Sequence, residues 1–218
     1  MSVVSPDLLA QYNAVHEETL TRLLSLVNDP SWKQFDVKPD ITIYTRADPN
    51  SSYNMAKGVV SIPVPVEVVY NKLKTVPKID PSMPADVRDG TKEKYQFAEI
   101  PGDEHDSCFM YVGLESPSAM VTAREFLMYR RHYFVENKHI FLHVSVENDE
   151  LKAPAKGYVR GKMIMQGYVI EEESGNTRLT FIAHADPAGW IPAMVYNSSV
   201  SNQCMIAKKV RDQILASK

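Results

Sequence analysis

The stretch DPAGWIPAMVYN (186–197) marks the point where strand-like sequence gives way to the last helical segment. Before it, NTRLTFIAHADP (176–187) alternates as a half-buried strand does. After it, Pro192 suits a first helical turn, where its missing N–H leaves no bond unmade. From Ile191 the spacing predicts one helix over the last 28 residues, about 40 Å long at ~1.5 Å per residue. Its apolar stripe comprises Ile191, Met194, Val195, Met205, Ile206, Val210 and Ile214, but Ser198 and Asn202 fall on that stripe midway. A close-packed core rarely accepts such a gap without polar partners. The expectation is that this band borders open space inside the fold.

Upstream, strand patterns follow one another: KEKYQFAEI, HDSCFMYVGLE, REFLMYRRHYF, KHIFLHVSVEN, YVRGKMIMQGYVIEE and NTRLTFIAHADP. The turn or loop signals between them are PGDEH, SPSAMVTA, Glu136-Asn137, NDELKAPAKG and ESGN. Strands joined mainly by short turns imply an antiparallel meander rather than crossover units. The terminal helix cannot cover itself, so it must lie across that meander. At the other end, Ser5 caps a predicted amphipathic helix with Pro6-Asp7 in its first turn, and residues 1–29 are assigned to the same domain as 30–218. ITIYTR (41–46) and SYNMAKGVVSI (52–62) read as strands and PVPVEVVYNKLK (63–74) as a short helix, followed by a turn-rich stretch around Pro77, Pro81 and Pro84.

Composition narrows the function. A chain of 218 residues, 44% hydrophobic and 23% charged, can bury one sizeable core, and a net charge of -3 with only short basic clusters gives nucleic acid nothing to bind. The N-terminus has no basic region leading into an apolar run, and no window approaches the length of a membrane span. Cys108 and Cys204 are far apart and lack metal-ligand spacing, so two buried thiols in a cytoplasmic protein are expected. P-loop, dinucleotide, nucleophile-elbow and zinc-protease motifs are absent. His139 and His143 share one strand face without a third ligand nearby in sequence, so no metal and no cofactor are expected.

Taken in order, Trp32 before the first predicted strand, SPSAMVTAREFLMYR (116–130), SVEN (145–148), GYVRG (157–161) and DPAGWIP (186–192) resemble a START domain. AREF stands where that family usually has Pro-Arg-Asp-Phe. The resemblance implies an α+β helix-grip fold: a curved antiparallel β-sheet around a long C-terminal helix, with an internal hydrophobic cavity for one lipid. It agrees with the meander and helix read from the residues.

The resemblance also implies a site. Arg130 matches a basic residue inside the family's tunnel, and alternation puts Phe126, Met128 and His132 on its face. Tyr111 stands where some sterol-binding members have a buried acid, which leaves the arginine to a ligand phosphate, a water or another acid. Gln166 matches a phosphate-contacting glutamine, whereas Gly113 and Phe126 occupy positions of a choline cage and do not reproduce it. Ile164, Phe181, Met194, Val195, Ser198 and Asn202 complete the expected lining, with Met120, Val121 and Trp190 as gate and lid. For Arg130 the competing reading is a surface arginine or one paired with Glu115. For Met128, Met163, Met165, Met194 and Met205 it is ordinary core packing. The expected function is a monomeric, non-enzymatic carrier of one lipid, phospholipid first and sterol next, with transient membrane contact. The alternative is a helix-grip enzyme of cyclase or hydrolase type.

Overall fold

Alternating sequence carries the middle of the chain into a single sheet, with helices packed on both of its faces. In the computed structural model, which describes residues 4–88, 90–100, 103–116 and 121–217, the elements begin with α1 (Pro6–Val27). Strands β1 (Lys33–Lys38), β2 (Ile41–Asp48) and β3 (Ser51–Ile62) follow, then α2 (Val66–Lys74) and α3 (Ala85–Arg88). The meander comprises β4 (Thr91–Glu99), β5 (Cys108–Leu114), β6 (Ala123–Val135), β7 (Lys138–Ser145), β8 (Tyr158–Arg160), β9 (Lys162–Glu173) and β10 (Asn176–Asp186), and the chain ends with α4 (Ala193–Ser198) and α5 (Val200–Ala216). The strand order is β1-β2-β3-β10-β9-β7-β6-β5-β4, with antiparallel neighbours, while β8 joins β6 in parallel. This is the expected helix-grip architecture.

The outer face is closed by α1. Ser5 accepts from the Leu8 N–H as the N-cap, and Leu20, Leu23, Leu26 and Val27 pack on Ile140, Leu142, Met165, Val169 and Ile182. A side chain at Gly167 would meet the Leu23 side chain at 2.5 Å, so the glycine gives Leu23 the space it occupies against β9. Trp32, read above as the start of the domain motif, donates its indole N–H to the Leu26 carbonyl at 2.7 Å. Lys57 reaches the Val27 carbonyl at 3.2 Å between the rings of Trp32 and Tyr44. The C-terminal end of α1 is thus tied down by two side-chain donors to carbonyls of its last turn.

The inner face is gripped by α5. Val200, Cys204, Ala207, Val210 and Ile214 pack on Ile41, Ile43, Ala56, Val60, Leu179 and Phe181. The approach is closest at Gly58, where an added Cβ would lie 3.0 Å from the Cys204 Cβ and 3.2 Å from its carbonyl oxygen.

Three expectations require correction. The single terminal helix is two, broken at Ser199 (φ -87°, ψ 2°). The cause is local: the Ser198 and Ser199 hydroxyls donate to the carbonyls of Val195 and Tyr196, competing for backbone groups at the junction. YVRGKMIMQGYVIEE is not one strand: it divides at Gly161, which lies against the Phe126 ring with no room for a Cβ (2.6 Å) and donates its N–H to the Glu125 carbonyl, between β8 and β9. Finally, KQFDVK, where no strand is predicted above, forms β1, an edge strand whose apolar residues Phe35 and Val37 are exposed.

Replacing Gly58 with valine is expected to lift α5 from β3 and cost about 1–3 kcal/mol, the usual range for overpacking a close contact. Urea unfolding of Gly58→Val checks this, and an unchanged midpoint would contradict the close seat.

Candidate functional site

The helix α5 packs on β2, β3 and β10, leaving the inner face of β4–β7 and the adjoining ends of β9 and β10 outside its grip. There, Phe126, Met128 and Ala185 form an apolar patch with Val112, Leu114 and Met163. Those last three, like Gln166, keep partial exposure, and this side of the sheet, beyond the residues that α5 packs on, is the candidate chamber.

Register brings the polar residues of this chamber into one row. Cys108 lies opposite Arg130, Arg130 opposite His143, and His143 opposite Gln166, across four neighbouring strands. Arg130 is 3% exposed. Its Nη2 donates to the carbonyls of Leu73 (2.9 Å) and Lys74 (3.2 Å) at the end of α2, and its guanidinium lies 4.4 Å from the centre of the Phe141 ring. These carbonyls are the electronegative end of a helix, a natural seat for a cation. Arg130 has no carboxylate within salt-bridge distance among the described residues. It is therefore neither a surface arginine nor the partner of Glu115, which pairs with Arg88.

The groups around Arg130 respond to its charge. Burial, then Arg130 and Lys94, hold His143 well below its ordinary pKa and therefore neutral. Burial also lowers Lys94, with Arg130 adding to the effect; register sets Lys94 opposite Val112 on the chamber side of β4. The Tyr168 ring packs on His143 (5.9 Å) and Phe181 (5.1 Å), and burial raises its pKa. Nearer α2, His132 Nε2 and His139 Nδ1 are 3.0 Å apart under the Tyr70 ring.

Of the expected lining, Arg130, Gln166, Phe126, Met128 and Phe181 lie on the inner face, with Phe181 beneath α5 at the chamber's packed edge. Tyr111 does not: its side chain is on the outer face, donating to Glu125 at 2.7 Å, and Glu125 also binds Arg160 and the Ala155 N–H. The residue opposite Arg130 is Cys108, so the expected match falls on the wrong side of the sheet. Ile164 is also outside, lining a groove of about 430 Å³ with Arg22, Asp48 and His184. The register shift at His184/Ala185 inserts one extra residue, which reverses the alternation.

The lid residues are turned round as well. Ser198 and Asn202 are exposed, as are Met194 (81%), Val195 (53%) and Trp190 (87%). Tyr196 and Asn197 take the inward side instead. Tyr196 packs on Tyr53 at 4.9 Å, and Asn197 accepts from the Asn54 N–H (2.8 Å) and donates to the Ser52 carbonyl (3.1 Å). The polar band is therefore a solvated surface, and Trp190, expected in the lid, faces solvent. Of the expected gate, Met120 lies outside the described residues; Val121 is half-buried and its carbonyl accepts from Ser116. Among the described residues no three metal-ligating side chains converge.

The START domain model matches residues 14–216. The chain belongs to the START domain family. Human StAR-related lipid transfer protein 5 superposes on this START domain with TM-score 0.74 at 18% identity, covering 96% of each chain. Human STARD10 gives 0.70 at 18% identity, over 99% of this chain and 81% of its own. A STAR-related lipid transfer protein fragment from Xanthomonas axonopodis gives 0.67 at 16% identity, over 84% and 98%. Such identities speak for the fold of the START domain. No curated protein matches the sequence.

Sequence reading missed Lys94, Cys108, His143 and Tyr168 as chamber residues. Alternation supplied a signal for His143, already on one face with His139, but only the register sets it beside Arg130.

The histidines make stability depend on pH. Burial lowers His132 to about 4 and His16, on the buried face of α1, to about 3. The folded state keeps both neutral below their ordinary value near 6.5, so the unfolded chain binds more protons as pH falls. Their contribution is complete above pH ~6.5 and declines below it. Urea unfolding at pH 7.5 and pH 5 is expected to show lower stability at pH 5, with a shallower loss in His132→Gln; equal stability at both pH values would refute this.

Proposed function

We propose that this START domain is a lipid carrier that performs no covalent chemistry. It holds one amphipathic lipid in the chamber, with a phosphate-bearing head at Arg130 and its acyl part against Phe126, Met128 and Met163. The observation that carries this reading is a buried arginine, bonded to carbonyls and lacking a carboxylate, at the end of an apolar concavity. An uncompensated buried cation is costly, and a ligand phosphate supplies both the charge and several acceptors for a guanidinium. The apolar part gives ample driving force, at about 0.8 kcal/mol per buried CH₂.

Transfer also needs a way onto a membrane. Trp190, Met194 and Val195 form an exposed apolar tip where the chain enters α4. Tryptophan favours the membrane interface, and α4 adjoins β3 at the edge of the chamber. We infer that this tip makes the transient membrane contact. Among the described residues no helix is long and apolar enough to cross a membrane.

Native mass spectrometry of the purified protein is expected to show one bound phospholipid, and Arg130→Leu, checked for folding by circular dichroism, to lose it. Recovery of sterol alone, bound equally by Arg130→Leu, would overturn the phosphate assignment. Trp190→Ala with Met194→Ser is expected to reduce vesicle association about tenfold, by removing roughly 1.5–3 kcal/mol of burial per side chain in part, without changing the melting temperature. Unaltered association would remove the tip from the mechanism.

A further inference from the structure

His143 sets a chemical condition on the head of the ligand. Its Nδ1 lies 3.3 Å from the Gln166 carbonyl, which can only accept, so Nδ1 carries the proton. In the neutral ring Nε2 is then a bare acceptor. That atom has no hydrogen-bond partner among the described residues, and it is not one of the enclosed polar atoms left without one. The next residue in the row is Arg130, which offers only donors. Side by side, the two present a donor for an anionic oxygen and an acceptor for an O–H or N–H.

We propose that the chamber selects a phospholipid whose phosphodiester bears a polyol head, with the phosphate at Arg130 and a head hydroxyl donating to His143 Nε2. This rests on the lipid-carrier reading above. A choline head has no donor to give His143, and its fixed positive charge would lie beside the guanidinium. An ethanolamine head has donors but brings the same repulsion. A sterol offers the hydroxyl without the phosphate. A polyol phosphodiester meets both groups and brings no positive charge of its own.

The test offers the full chain mixed vesicles containing phosphatidylglycerol and phosphatidylcholine with identical acyl chains, and native mass spectrometry reads the captured ratio. The expected result is about a tenfold preference for phosphatidylglycerol, the scale of one buried hydrogen bond kept or lost. In His143→Phe the ratio falls toward one, and in His143→Gln, which restores an acceptor oxygen, it recovers. Capping the head hydroxyls as methyl ethers removes the preference in the unmodified protein, so the outcome does not depend on the folding of a variant. Capture of neither lipid would overturn the carrier reading itself. Equal capture of both would overturn the polyol assignment and leave the carrier reading standing. Competition by deacylated glycerophosphoglycerol at the lipid's own effective concentration would assign the site to a water-soluble phosphodiester and overturn the proposal.

Discussion

A helix can grip a sheet only where the sheet lets its backbone come close, and here that place is Gly58. With no side chain on β3, the Cys204 turn of α5 settles against the strand, and Ala207 follows one turn later. The large residues of the inner face, Phe181 and Tyr168, then fill the space to one side of the helix. Seated over β2, β3 and β10, α5 is placed away from β4–β6, and the candidate chamber is the part of the inner face that it leaves. The chamber follows from where the small residues are.

Charge inside this remainder is managed by geometry rather than by pairing. Arg130 rests on the carbonyl end of α2 and the face of Phe141, which satisfies part of its hydrogen-bonding capacity without cancelling its charge. On the outer face the opposite solution is used: Glu125 is fully enclosed and meets Tyr111, Arg160 and a backbone N–H, which completes a closed network. A finished network holds structure, and an unfinished one is where a ligand can contribute.

Much of this was legible in the residues. Alternation identified the meander strands and put Phe126, Met128, Arg130 and His132 on one face, because strand parity survives as long as no residue is inserted. It failed at Ile164 for that reason, since a bulge opposite His184/Ala185 shifts the count by one. Tyr111 failed by a single position, Met110 and not Tyr111 being on the chamber side. The row from Cys108 to Gln166 was out of reach because register is fixed by turns and bulges, not by the strands themselves. On the terminal helix, periodicity was extended across Ser198 and Ser199, whose hydroxyls bond the backbone and change the face beyond them.

The break at Ser199 divides the end of the chain into parts of unequal local stability. The 17 residues of α5 are locked into the core, whereas the six of α4 hold to the sheet through the Asn197 amide and the Tyr53–Tyr196 ring pair. At about 0.5–1.5 kcal/mol net for each hydrogen bond, detaching α4 is a fluctuation of a few kcal/mol, while displacing α5 would open much of the core. The fold can therefore keep its grip on the core through α5 while α4 comes and goes.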